Sequence, residues 1–393
     1  MPAQVYPSPR EVCTPVMTFL KCVVPLCLLL ATSLSVQASD SPWRTISSKP
    51  SVLNSALLNV DVSEGQRVRL DVPMLREQLK AFEAYALIDL PLPDGSYARY
   101  ELVLDSVMAE DLARQYPSIQ TFSGRDINDP LNNGRFDLTP QGFHGVFVHQ
   151  GRQIFIDPEM RGNLERYVSF YASDAKPLSP IAADRVNTVN RVASELKRST
   201  AAAKKITGDT LLTYRLAVSA AAEYTQFHGG TVEQGLAAIT TVVNRLNDVF
   251  LRDLAIRFEL VANNDQVIFT DPDTDPFANN DDDVDTNETV QATNIGSDNF
   301  DIGHVFNTGG GGLAYDGVCD TRFKARGMSG GSQPIGSRFY VDLVSHEIGH
   351  QLGASHSFNG TASACSGNRV ASTAWEPGSG SSIMAYSGIC GEQ

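Results

Sequence analysis

The spacing of apolar positions changes character part-way along the chain. From about residue 39 to 172 the repeat is two residues. RVRLDV, YARYELVLDSV and RFDLTPQGFHGVFVHQGRQIFIDP place apolar side chains at alternate positions or in short runs, the pattern of strands. The last two runs flank His149-Gln150-Gly151, which predicts a hairpin turn. Between 173 and 208 the pattern lapses into Ala, Ser, Lys and Arg, as expected of an exposed connector open to proteases. A second unit, 209–393, opens with LLTYRLAVSA, a predicted strand. TVEQGLAAITTVVNRLNDVFLRDL follows, with Leu236, Ile239, Val243, Leu246 and Phe250 at helical spacing and Thr231 and Gln234 in capping-box relation. This predicts a long amphipathic helix with one face on the core. IRFELVA then alternates as a strand. Strand, helix and strand predict a mixed α/β unit with a right-handed crossover, behind a β-rich leader. No repeat of solenoid period is visible.

Residues 17–38 fall outside both patterns. Lys21 precedes CVVPLCLLLATSLSV, an apolar run ending in Val36-Gln37-Ala38, and this reads as a secretory signal cut near Ala38. The expected location is then extracellular, without stable membrane association; a membrane anchor is the alternative. Of six cysteines, Cys13, Cys22 and Cys27 leave with the signal, and the exported chain keeps Cys319, Cys365 and Cys390, an odd number. The net charge of −14 is local: between Arg257 and Arg322 there are fourteen Asp or Glu and no Lys or Arg, while the remainder balances. That balance excludes nucleic acid as an expected partner. The densest acidic stretch, 271–288, offers carboxylates of the kind calcium takes. It lacks the glycine and terminal glutamate of an EF-hand loop, so a solvated acidic loop is the simpler expectation.

The candidate chemistry lies in SHEIGHQLGASHSF, residues 345–358. On a helix His346 and His350 project from one face and share one ion, while Val341, Val344, Ile348 and Leu352 form an apolar stripe; Val344 lies about 200° around from His346. Gly353 suits a left-handed C-cap that turns His356 back as a third ligand. Three imidazoles with an open fourth position suit a catalytic zinc. Glu347 then activates the zinc-bound water as general base and returns the proton to the leaving amine. His144, His149, His228 and His304 stand singly and are expected to be structural.

HExxHxxGxxH over 346–356, followed by Ser382-Ile383-Met384-Ala385-Tyr386, resembles the signature of the metzincin clan of zinc endopeptidases. Through FDLTPQGF, FIDP and DIGHVFNTGGGGLAYDGVC, the chain is similar to bacterial reprolysin-like metallopeptidases with a propeptide. The resemblance covers about residues 40–393. It implies an α/β metzincin catalytic domain with a mixed sheet and zinc-binding helix, preceded by a β-rich propeptide that inhibits it. It also implies one zinc ion on His346, His350 and His356, Glu347 as catalytic residue, and Met384 as a hydrophobic base beneath the metal. Gly311, Gly312, Leu313 and Ala314 would lie near an edge strand where extended protein or peptide substrates pair; a flexible loop is the alternative.

Some positions depart from the family pattern. Ser357 stands where reprolysins generally carry Asp. Tyr386 is similar to the tyrosine of astacins and serralysins and is expected either as a transition-state donor or as a packing residue. Residues 39–318 hold no cysteine to block the metal; Asp126 resembles the aspartate of astacin propeptides. The chain stops nine residues after Met384, so the domain is expected to be C-terminally incomplete, with Cys365 and Cys390 paired and Cys319 without its partner. The expected function is secreted zinc endopeptidase; the alternative is a secreted binding module that keeps zinc without turnover.

Overall fold

The structure, a computed structural model, describes residues 41–46, 53–55, 60–62, 65–80, 84–177, 210–309 and 311–391. The expected signal and most of the expected connector lie outside these residues. The N-terminal strands are β1 (Trp43–Thr45), β2 (Leu53–Ser55), β3 (Val60–Val62), β4 (Gly65–Leu70), β5 (Ala86–Pro91), β6 (Tyr97–Leu104), β7 (Gln120–Asp126), β8 (Asn133–Thr139), β9 (Gly142–His149), β10 (Arg152–Pro158), β11 (Arg166–Tyr171) and β12 (Ala175–Pro177). Among the described residues, nine of them form one antiparallel sheet, β1-β4-β11-β10-β9-β8-β7-β6-β5, while β12-β3-β2 form a small second sheet. Gln150 (φ 50°) and Gly151 (φ 74°) make the turn from β9 to β10, the two left-handed residues that a tight hairpin of matching twist requires. Two helices interrupt the strands, α1 (Val72–Lys80) and α2 (Glu110–Gln115).

From residue 210 the chain becomes mixed α/β. Its elements are β13 (Leu212–Ala220), α3 (Ala222–Phe227), α4 (Val232–Leu254), β14 (Ile256–Leu260), α5 (Asp283–Asn294), β15 (Ile302–Asn307), β16 (Gly312–Ala314), β17 (Gly327–Gly330), a π-helical turn (Arg338–Val344) and α6 (Ser345–Gln351). The sheet runs β14-β13-β15-β17-β16, parallel except for the outermost strand β16. Thr231 caps α4 by accepting from Gln234 N at 3.2 Å. Among the described residues no helix is long and apolar enough to cross a membrane.

Two expectations change. α4 is not amphipathic in its surroundings: every residue from Gly235 to Asn247 is buried. Its polar side is covered by the N-terminal sheet, where Thr241 donates to Asp137, Asn244 to the Phe136 carbonyl and Arg245 to Asp157. The acidic run is not a loop throughout, because from Asp283 it forms α5. That helix meets the sheet through amides: Gln291 donates to the carbonyls of Ala217 and His304, and Asn287 to that of Ala325. The apolar stripe through the histidine segment holds: Val344 and Ile348 are buried, and Val341 and Leu352, half-buried, pack against the same core. The turn ahead of α6 is π-helical and adds Phe339, Tyr340 and Leu343 to that core.

Candidate active site

α6 carries His346, Glu347 and His350, all buried. It ends at Gly353, which takes φ +90° while its N–H reaches the His350 carbonyl at 2.9 Å; a side chain there would be strained. The chain turns back and delivers His356, fully buried, to the same point. The three Nε2 atoms stand 3.0 Å (His346 to His350), 3.2 Å (His350 to His356) and 3.2 Å (His346 to His356) apart.

The opposite ring nitrogens fix the tautomers. Nδ1 of His346 meets the Ile383 carbonyl at 2.6 Å, that of His350 the Ala354 carbonyl at 2.8 Å, and that of His356 the Asn368 carbonyl at 2.7 Å. A carbonyl only accepts, so each Nδ1 carries the proton and each Nε2 presents a lone pair. Three lone pairs aimed at one another repel, and a cation between them turns that repulsion into binding. Zinc–nitrogen bonds of about 2.0–2.1 Å at tetrahedral angles put nitrogens about 3.3–3.4 Å apart, within a few tenths of the distances here. The donor set therefore fits zinc. Among the described residues this is the one group of three or more His, Cys, Asp or Glu whose ligand atoms lie within 4.8 Å of each other. The acidic stretch gathers no such group: Asp271, Asp275 and Asp283 accept backbone N–H groups of Asp273, Phe277 and Ala222, and Ala278.

Two glycines make room for the site. A Cβ on Gly349 would fall 2.5 Å from the Met384 sulfur, so Met384 lies directly against α6 between the two histidines it carries. A Cβ on Gly312 would fall 1.8 Å from Oε1 of Glu347. Glu347 thus stands against β16, the sheet's edge strand, in which Gly312, Leu313 and Ala314 pair with Ser329, Met328 and Gly327; the Gly311 carbonyl accepts from Gly330 N. A cavity of about 390 Å³ opens beside His346 and Glu347, and every residue lining it, from Arg338 to Ile389, belongs to the C-terminal part of the chain. Tyr386 is buried, its ring 4.8 Å from that of His356 and 4.5 Å from that of Phe358.

Cys365 and Cys390 form a disulfide around this segment, and Cys319 is exposed and free. Asp126 lies in the N-terminal sheet, where its carboxylate accepts from Asn128 N at 2.8 Å and meets His149 Nδ1 at 3.1 Å. Two further side chains support the site, His304 as the structural histidine expected and Glu376 without any expectation. His304 bridges Gln351 on α6 (2.8 Å) and Ser329 on β17 (2.9 Å); a histidine inside the apolar strand DIGHVFN was the available signal. Glu376 gathers Ser357, Ser381 and Ser382, and a lone acid in a Ser- and Gly-rich stretch was the hint. Burial raises the Glu376 carboxyl, but the hydroxyls of Ser357 and Ser382 and the N–H groups of Ser381 and Ser382 outweigh it and bring it down to about 2.

Residues 210–393 match the family described as metallo-peptidase family M12B, reprolysin-like. Among solved structures, the crystal structure of metalloproteinase-II from Bacteroides fragilis is similar at 10% identity, covering 73% of this chain and 85% of that one with a TM-score of 0.40. No curated protein matches the chain.

Proposed function

We propose that the protein is a secreted zinc endopeptidase, made as a proenzyme, that hydrolyses peptide bonds in proteins, with residues 210–393, which match the reprolysin-like M12B family, as its metzincin catalytic domain. The observation that carries this reading is the convergence of three Nε2 lone pairs beside Glu347, itself set against an edge strand. A zinc ion held by His346, His350 and His356 supplies Lewis-acid chemistry toward water and the scissile carbonyl. The chain's own residues do the rest. An extended substrate lies antiparallel to Gly311–Ala314, which positions its backbone whatever its side chains. Glu347 takes a proton from the attacking water as the new carbon–oxygen bond forms, then delivers it to the amine nitrogen as the carbon–nitrogen bond breaks. Met384 keeps the underside of α6 dry. Tyr386 acts by packing: its ring lies on His356 and Phe358 and fixes the third ligand.

Secretion rests on the signal-like run 17–38 and agrees with the Cys365–Cys390 disulfide. The chain is made with its leader attached, and the connector 173–208 is where it is cut. The test is hydrolysis of a quenched peptide by the cut protein and by Glu347→Ala, with zinc measured in both. The expected result is about one zinc per chain in each and a fall in rate of about 10²–10⁴-fold in the variant. Equal rates, or a parent that retains no zinc, would remove this reading.

A further inference from the structure

The β-rich leader does not sit where a cleft-blocking inhibitor would. Among the described residues its contacts with the catalytic part fall at the β14 edge of the five-stranded sheet and the turn after it, on α4, and at the end of α3, where Arg161 donates to the Phe227 carbonyl and Gln141 to that of His228. Val107 to Ala109 lie along β14: Ala109 N reaches the Leu260 carbonyl, and Leu260 N the Val107 carbonyl, each at 2.8 Å. β14 and the substrate-side strand β16 are opposite edges of that sheet. Val107, Met108, Leu112 and Ile119 are buried in the same cluster as Leu236, Val243, Leu246 and Phe250 of α4.

The polar contacts are those of an interior. Arg245 pairs with Asp157 at 2.8 Å, and both side chains are almost fully buried. Asn244 accepts from Arg135 at 2.9 Å and donates to the Phe136 carbonyl at 2.9 Å. Asp105 of the leader takes Arg135 of its own sheet and Arg257 of β14. Gln141 donates to the Gln234 carbonyl at 2.8 Å. Ser41 to Gln393 accordingly form one compact unit. An interface that shares a hydrophobic core and satisfies its buried charges resembles an obligate subunit contact rather than a transient one.

We propose that residues 41–177 are a permanent, non-covalent subunit of the catalytic domain, and that cleavage of the connector yields an active two-chain enzyme rather than releasing an inhibitor. The seam seals the β14 edge and the outer face of α4 and leaves the cavity at Glu347 open to substrate.

A specific protease site placed within 178–209 of the full-length Glu347→Ala protein tests this without self-cleavage. After cutting, both fragments are expected to co-elute in size exclusion at submicromolar concentration and to melt in one transition; separate elution under native conditions would overturn the proposal. The same cut in Arg245→Ala, which leaves Asp157 without its partner, is expected to weaken association at least tenfold; unchanged affinity would overturn the assignment of this seam. In the Glu347-intact protein, specific activity of the cut form is expected to stay constant on hundredfold dilution, whereas a rise would mark a dissociating inhibitor and overturn the subunit role. Co-elution reads association whether or not the protein hydrolyses peptides, so failure of the peptidase reading would show as a stable but inactive complex.

Discussion

The Ser357 hydroxyl donates to the Glu376 carboxylate at 2.5 Å, so the residue after the third histidine is tied to the turn that carries Met384. The same carboxylate accepts from the N–H groups of Ser381 and Ser382. Ser357 N also reaches the Met384 carbonyl at 3.0 Å. His356 and the methionine turn therefore move together. Glu376→Ala is expected to cost about 1–3 kcal/mol in urea denaturation and to weaken zinc retention roughly tenfold or more. An acid titration carries the sign: with its pKa at about 2, this carboxylate gives its full stabilisation above its usual value near 4.5 and loses it as pH falls through about 2. Zinc retention unchanged in the variant would refute the link.

Gly312 and Glu347 share a space that admits no further carbon. In Gly312→Ala either β16 or the carboxylate must move. A displacement near 1 Å at a catalytic group costs on the order of 10²-fold in rate. The expected outcome is that loss in kcat/KM with zinc content unchanged. Full activity in this variant would mean that Glu347 does not act from this position.

Burial lowers two structural histidines, His228 to about 3 and His304 to about 4, from a usual value near 6.5. Between 6.5 and those values the unfolded chain binds protons that the folded chain does not. Stability is therefore complete above pH 6.5 and falls as pH drops, by about 1.4 kcal/mol per pH unit for each group, levelling off near the folded values. Denaturant midpoints at pH 7.5, 5.5 and 4.5 measure the slope. His304→Gln is expected to flatten it, and an identical slope would count against His304 as a source.

The Cys365–Cys390 bond closes a loop with a sequence separation of 25 that contains Asn368, Glu376 and Met384. Loop closure of that length is worth about 3 kcal/mol. Reduction is expected to lower the melting temperature and to raise zinc loss, because the carbonyl that orients His356 lies inside the loop. A melting temperature indifferent to reductant would contradict this.

The histidine cluster was legible because its geometry is local: His346 and His350 on one helix, a glycine to turn, and His356 three residues on. The α4 stripe was legible for the same reason, since Leu236 to Phe250 report on their own helix. What covers the other face of α4 was not, because Thr241, Asn244 and Arg245 find their partners about a hundred residues earlier, in Asp137, Phe136 and Asp157. α5 was hidden differently. Its buried side mixes Val284 and Val290 with Asn287 and Gln291, polar side chains that bond to strand carbonyls, so the hydrophobic period is too broken to mark it. Fold class and candidate ligands follow from repeats within a few residues; contacts that join distant segments through polar groups leave no such trace.

The edge strand β16 has a consequence for the protein in concentrated solution. An open strand edge offers its backbone to any extended chain, including a neighbouring copy, and long edges of this kind seed sheet-on-sheet aggregation. Here the edge is Gly312–Ala314, only three residues. A strand that short offers too few backbone groups to hold another folded copy in register.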